Sequence, residues 1–489
     1  MDDRALIISA VKRECPFTPT QGQETAICML ADFIGMDSAR KVFLLCGYAG
    51  TGKTTIISAF VQALRHLHRR VVLLAPTGRA AKVFSLYSGV PAYTIHRKIY
   101  RQKSILDQSA FVLDSNLHEN TLFLVDEASM ISNEGLAGSG FGTGRLLDDL
   151  ISYVFSGKSC SLLMLGDIAQ LPPVGETVSP ALEPSCLRSY GLDVMEHTLT
   201  EVVRQDSDSG ILYNATRLRD GLPAVSEFGG PDVVCSGFKL VSDGFSDVKR
   251  IRGDELVECI SNCYNRGGIS DTIVLCRSNR RAIIYNNGIR NTILDREDEL
   301  CRGDQVMVVK NNYYWTEKYR AEAVGADESP AGIPSFIANG DIATIRRVRN
   351  FRELYGFNFA TVQLSFPDYD DFEMETTVIL DTLHSEAPAL TKEEQNRLFS
   401  NVLEDYADIP DRRERMKRLR QDSYFNALQL KYAYAVTCHK AQGGQWSNVF
   451  IDQGYVPEDG HTLEYYRWLY TALTRATGTV YFVNWPEDS

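Results

Sequence analysis

Gly47-Tyr48-Ala49-Gly50-Thr51-Gly52-Lys53-Thr54 fits the pattern G-x-x-x-x-G-K-[ST]. Glycines at these places let backbone N–H groups wrap a chain of phosphates, and the helix that follows presents its positive end to them. Lys53 would reach the β- and γ-phosphates, and the Thr54 hydroxyl would bind Mg²⁺. Further along, Asp126-Glu127 closes an apolar run. In that position Asp126 would hold the metal, and Glu127 would orient or deprotonate an attacking water. Gln170, in Gly166-Asp167-Ile168-Ala169-Gln170-Leu171-Pro172-Pro173, can hydrogen-bond a γ-phosphate and register its loss. Together these residues describe a machine that hydrolyses ATP with Mg²⁺. Gly47, Gly50, Thr51, Gly52, Lys53, Thr54 and Thr55 form its nucleotide cradle.

Such a cradle needs a parallel sheet behind it. Val42 to Cys46, Val71 to Ala75, Leu122 to Val125 and Leu162 to Leu165 are short apolar runs that read as buried strands. Each ends in polar or glycine-rich residues. Ile56 to Leu67 has helical spacing between the first two. This alternation predicts a doubly wound α/β lobe with chemistry at the carboxyl ends of its strands. A second series, Thr272 to Cys276, Tyr432 to Thr437, Asn448 to Ile451 and Thr479 to Val483, predicts a second lobe. It is interrupted by short β segments at Asp304 to Lys310, Gly340 to Arg346 and Ala360 to Phe366, and by a charged helical stretch over 391–420. Gly135 to Gly144 reads as a loop.

Taken in order, the motifs resemble those of superfamily 1 helicases, in the RecD/Dda-like branch, superfamily 1B. Pro76-Thr77-Gly78-Arg79-Ala80-Ala81, Thr94-Ile95-His96, Leu199 to Gln205, Tyr434 to Gly443 and Tyr470 to Ala476 join those above. The resemblance runs from about residue 18 to 483. It implies two RecA-like P-loop lobes. It implies that Gln23, in Thr20-Gln21-Gly22-Gln23, reads adenine, and that Arg204 and Arg475 are arginine fingers from the second lobe. It further implies that Pro76, Thr77, Thr94, His96, Thr437 and His439 contact a tracked strand, and that Gln442 couples strand to nucleotide. Catalysis would then rest on Lys53, Glu127, Gln170, Arg204 and Arg475. The implied activity is unwinding of DNA by movement along a single strand, in the 5′→3′ direction. An RNA or RNA–DNA hybrid substrate, or a clamp that binds without unwinding, stays open at this point.

The resulting domain plan assigns 1–92 and 118–198 to the first lobe, and 93–117 to a pin-like insertion in which Tyr100 or Phe111 could be the wedge. It assigns 199–310 and 425–489 to the second lobe, and 311–424 to an SH3-like accessory domain with Asn339-Gly340-Asp341-Ile342 as its hairpin. Tyr313, Tyr314 and Trp315 could stack bases or fill a small core. The basic stretch Asp411 to Asp422 could touch a phosphate backbone or simply be a solvated helix face. Expected partners are single-stranded and forked duplex DNA, engaged by a monomer. No apolar run approaches a membrane span, Met1-Asp2-Asp3-Arg4 lacks the basic start of a signal peptide, and eleven scattered cysteines suit reduced thiols in the cytoplasm.

The net charge of −12 seems to oppose a nucleic-acid partner. Its distribution removes the objection. Ser38 to Leu106 holds twelve Lys or Arg and no Asp or Glu, so the rest of the chain carries −24. That one segment contains the phosphate loop and two of the strand-contacting motifs. Positive charge is therefore concentrated where phosphates should lie, and binding should be confined to one groove and weaken as salt rises.

Overall fold

The computed structural model describes residues 3–104, 107–135, 142–203, 209–226, 238–323, 333–334, 336–455 and 462–485. The first lobe is built on a six-stranded parallel sheet. Its order is Ala92–Thr94, Arg70–Ala75, Thr121–Val125, Ser161–Gly166, Lys41–Gly47 and Asp193–Leu199. The central strands are apolar throughout because both faces are covered. Phe43 and Leu45 pack with Ile27, Leu30, Ile57, Phe60 and Leu64 from the helices Gln21–Gly35 and Lys53–His66. Val42 and Leu44 pack with Leu150, Ile151 and Val154 of Leu146–Ser156 on the other face.

The second lobe carries a five-stranded parallel sheet in the order Ala435–Thr437, Thr272–Cys276, Trp446–Asp452, Ala476–Val483 and Val248–Ile251. Both sheets and their flanking helices match the two-lobed α/β architecture expected. Between the lobe's strands the chain leaves to form a closed five-stranded barrel of Gln305–Val308, Ile342–Leu354, Phe357–Phe366, Phe372–Ile379 and Leu428–Tyr432. The accessory unit therefore begins and ends outside the expected 311–424, because the barrel closes through the pairing of Val306–Val308 with Leu430–Tyr432. The single strand expected over Tyr432 to Thr437 is likewise two strands. Asn286 causes the break: its side chain accepts from the N–H of Tyr434 at 3.0 Å and of Ala435 at 2.8 Å, and donates to the Ala435 carbonyl at 2.8 Å. Residues 391–420 form two helices, Lys392–Glu404 and Arg412–Arg420.

The expected pin is a two-stranded antiparallel hairpin, Tyr100–Ser104 with Asp107–Leu113. The preceding Ala92–Thr94 is the edge strand of the first sheet, so the insertion starts later than residue 93. Neither suggested wedge residue is presented for splitting a duplex. The Tyr100 hydroxyl donates to Asp149 at 2.7 Å, and the Phe111 ring lies 4.1 Å from that of Tyr313. Both fasten the base of the hairpin, Phe111 to the barrel unit. Tyr313, Tyr314 and Trp315 are packing residues. Tyr313 stacks on Phe336, Trp315 is buried with its indole N–H on the Asn426 carbonyl, and Tyr314 donates to the Gln421 carbonyl. The barrel also reaches the first lobe, where Tyr369 and Asp341 sit against Gly78 and Lys82 donates to the Pro367 carbonyl.

One buried carboxylate ties the barrel to the second lobe. Asp304 accepts from Arg290 at 3.0 and 3.2 Å, Arg296 at 2.7 Å, the Tyr434 hydroxyl at 2.7 Å and the Cys301 N–H at 2.7 Å. Removing one member of such a cluster leaves buried charge uncompensated. Asp304→Ala is expected to lower unfolding free energy by about 3–5 kcal/mol in chemical denaturation. A loss below about 1 kcal/mol would contradict the role given to this cluster.

Candidate active site and strand interface

The phosphate loop leaves the central strand Lys41–Gly47 and enters the helix Lys53–His66. Gly50 and Gly52 have φ of +77° and +75°, in the left-handed region where a side chain is strained. Gly52 caps the helix with no side-chain bond, and the first turn has no acidic residue, so the N–H groups there face no competing anion of their own helix. Lys53 Nζ donates to the Gly47 carbonyl at 3.2 Å, folded across the loop it would serve.

Gln23 lies beneath this loop, 1% exposed. Its carbonyl oxygen accepts from Thr20 N–H at 3.0 Å in a capping box, and its amide donates to the Thr51 carbonyl at 2.9 Å. The structure thus shows it bracing the loop. Thr54 and Thr55 occupy the first turn of the helix, beside Lys53.

Asp126 and Glu127 follow the strand Thr121–Val125. Asp126 accepts the Glu127 N–H at 2.8 Å. Burial, reinforced by the neighbouring Glu127, raises its carboxyl above the usual range, while Lys53 opposes the rise. Glu127 holds φ at +51°, an uncommon conformation for a residue with a side chain. Across the cleft, Arg475 Nη1 comes within 3.8 Å of Glu127 Oε1. Arg475 is 4% exposed and is steadied by the carbonyls of Thr471 and Gly444, each at 3.3 Å. The sequence-expected Arg204 lies outside the described residues.

Gln170 is buried, and its carbonyl oxygen has no hydrogen-bond partner. The loop carrying it is clasped by the second lobe. Leu171 N–H donates to the Thr471 hydroxyl at 2.8 Å, and the Leu171 carbonyl accepts from Gln442 at 2.8 Å. Gln442 therefore joins the two lobes directly. The open helix end, Lys53 and the Asp126 carboxylate fit a triphosphate with its divalent cation, while the unpaired Gln170 oxygen, an acceptor, fits a water or a cation and not a phosphate oxygen.

The expected strand contacts line the carboxyl ends of both sheets. Pro76 ends the strand Arg70–Ala75, and Thr77 caps the helix Gly78–Ser88, accepting from Ala80 N–H at 3.2 Å. Thr94 does the same for Arg97 N–H at 3.2 Å. Thr437 ends a strand of the second lobe and makes no capping bond. The lobes touch here too. Arg79 lies 4.0 Å over the Trp446 ring and donates to the Gln445 carbonyl at 2.8 Å. Gly443, at φ +73°, sits so close that a Cβ would meet Thr77 Oγ1 at 3.1 Å. His96 packs near Tyr100 and His439 is half-buried; burial lowers both imidazoles, His96 to about 4. Asp167, Tyr470 and Thr471 also act here, although their places inside the motifs assign them no role. Their bonds cross between segments some 300 residues apart, which no local spacing reveals.

Two RecA-like lobes closing on a phosphate loop define the motor class of P-loop nucleotidases. Within that class, an AAA domain matches residues 20–229, the first lobe and the start of the second, and a UvrD-like helicase C-terminal domain matches residues 432–483 of the second lobe. The chain is 23% identical to an uncharacterized protein, R530, of Acanthamoeba polyphaga mimivirus, over 94% of this chain and 99% of that one. It is 25% identical to the ATP-dependent DNA helicase dda of Enterobacteria phage T4, over 62% of this chain and 64% of dda. It is 30% identical to the ATP-dependent RecD2 DNA helicase of Deinococcus radiodurans, over 38% of this chain and only 22% of RecD2. A crystal structure of Pif1 helicase from Candida albicans aligns over 96% of this chain and 95% of that one, with 17% identity and a TM-score of 0.44. The two domain matches and the sequence relatives bear out the kinship with superfamily 1B helicases of the RecD/Dda-like type. Among the described residues no helix is long and apolar enough to cross a membrane, and no His, Cys, Asp and Glu cluster could hold a metal ion unaided.

The depressed His96 gives a pH test. Its ordinary value is 6.5, and the folded chain holds it neutral down to about 4. Between those limits the unfolded chain binds the extra proton. This contribution is complete above pH 6.5 and is lost as pH falls toward 4. His96→Gln should flatten that part of the stability–pH curve in thermal melts. An unchanged acid slope would show that the imidazole is not held neutral.

Proposed function

We propose that this chain is an ATP-dependent DNA helicase that moves 5′→3′ along single-stranded DNA and separates the duplex ahead of it. The observation that carries the reading is Arg475 of the second lobe reaching Glu127 of the first, beside the phosphate loop. Hydrolysis then requires both lobes, and lobe movement is what a translocating motor needs.

In this reading the loop amides and Lys53 bind the phosphates. Thr54 and Asp126 would hold Mg²⁺, which supplies charge neutralisation at the β- and γ-oxygens when bound. Glu127 orients the water and takes its proton. Gln170 contacts the γ-phosphate, and Arg475, joined by Arg204, stabilises the charge that develops on it. Gln23 holds the loop in shape at the base side of the nucleotide. Thr77, Thr94 and their neighbours in one lobe, and Thr437 and His439 in the other, grip the strand alternately as the cleft closes and opens. Neutral His96 and His439 act there by hydrogen bonding and packing, with phosphate charge met by the basic segment around them. The likeness to dda and RecD2, both DNA helicases by name, supports DNA as the substrate, and the 5′→3′ direction rests on the resemblance of the motifs to the RecD/Dda-like branch.

A forked duplex with a single 5′ or 3′ tail tests substrate and direction together. Unwinding is expected from the 5′ tail, with turnover stimulated by single-stranded DNA. Glu127→Gln should cut turnover by about a hundredfold or more. Unwinding from the 3′ tail alone would overturn the direction, and stronger stimulation by RNA would overturn the substrate.

A further inference from the structure

The hydroxyl of Tyr470 joins three elements at one point. It accepts the Ala49 N–H of the phosphate loop at 2.8 Å and donates to Asp167 at 2.6 Å. Ala49 and Asp167 belong to the first lobe; Tyr470 belongs to the second. Tyr470 is 1% exposed on the helix Leu463–Leu473, whose Tyr465, Trp468, Leu469 and Leu473 are buried in the second lobe's core. The ring is thus fixed to one lobe while its oxygen works for the other. Asp167 is 2% exposed and is held by two donors, the Tyr470 hydroxyl and the Ala169 N–H at 2.9 Å. A buried carboxylate deprived of one such donor pulls its loop toward another partner.

We propose that Tyr470 is a positioning residue for ATP hydrolysis, which sets the phosphate loop and the Asp167–Gln170 turn in register with the second lobe. This rests on the ATP-hydrolysing reading given above. Gln170 lies three residues beyond Asp167, and its orphan oxygen is in place only while that turn is in place. Arg475 follows the same helix as Tyr470, so the setting that aims the hydroxyl also aims the guanidinium at Glu127. Thr471 reinforces the register one residue on, through Leu171 N–H. The hydroxyl meets neither the helix end at Lys53 nor the Asp126 carboxylate. Its loss should therefore disturb the reacting geometry and leave nucleotide affinity nearly intact. Misplacements on the order of 1 Å cost about a hundredfold in rate when they separate reacting groups.

The test is steady-state ATP hydrolysis by the full chain, with and without single-stranded DNA, for the parent, Tyr470→Phe, Asp167→Asn and the double variant. Tyr470→Phe keeps the ring and its packing. Each single variant should lose about tenfold or more in kcat, with KM for ATP within about threefold of the parent. The double variant should fall little below the poorer single one, because both changes break one link. A kcat within about twofold of the parent in Tyr470→Phe, or losses that multiply in the double variant, would overturn the proposal. So would a joint loss of kcat, nucleotide binding and melting temperature, which marks a merely structural residue. An unstimulated parent would count against the helicase reading, while the variant-to-parent ratio without DNA still judges Tyr470.

Discussion

At the cleft each lobe completes the hydrogen bonding of polar groups that the other satisfies only in part. Arg475 is a buried guanidinium whose facing carboxylate, Glu127, belongs to the other lobe. Asp167 and Leu171 on one side depend on Tyr470, Thr471 and Gln442 on the other. Unpaired buried polar groups are costly, so the two lobes are bound to meet in this register or to separate and let water in. That alternative between meeting and parting is what an engine driven by nucleotide needs. The remaining architecture serves it. The parallel sheets deliver the phosphate loop, the Asp-Glu pair and the Gln170 turn to one edge, and the second sheet brings Arg475 and Gln442 to face them.

The same contacts set Thr77 beside the segment that clasps the Gln170 turn. Gly443 rests against Thr77, and Gln442 is the next residue back, bonded to the turn that holds Gln170. A displacement at Thr77 therefore reaches the nucleotide turn through two adjacent residues of the second lobe. Charge follows this geometry. The uninterrupted basic stretch from Ser38 to Leu106 runs through the phosphate loop, Thr77 and Thr94, while acidity is spread over the rest of the chain. Net charge alone would have argued against nucleic acid; the placement of charge argues for a single phosphate-lined groove.

Much of this was legible in the sequence because it is written locally. The glycine loop, Asp126-Glu127 and the buried central strands each declare themselves within about ten residues, and the second lobe's strands do so nearly as well. What escaped has a common cause. The edge strand Asp193–Leu199 carries Asp193, Glu196, His197 and Thr198 and lacks a continuous apolar run. The barrel boundary depends on Val306 meeting Tyr432, and the split before Ala435 depends on Asn286, both far away in the chain. Tyr100 and Phe111 looked available as wedges, but Asp149 and Tyr313 occupy them. That Gln23 also braces Thr51 follows from a contact 28 residues away in the chain. Tyr470 passed as one letter of a motif, since its two partners are separated from it by hundreds of residues.

If hydrolysis is assembled from both lobes, loss of Arg475 must abolish it while leaving the first lobe's nucleotide loop intact. The measurement is ATP turnover in the presence of single-stranded DNA for Arg475→Ala, with binding of a non-hydrolysable ATP analogue measured alongside. Analogue binding should stay within about threefold while turnover falls by about a thousandfold or more, the loss expected when a charge-stabilising arginine is removed. Turnover within about tenfold of the unaltered protein would mean that the first lobe hydrolyses ATP by itself, contradicting assembly from both lobes.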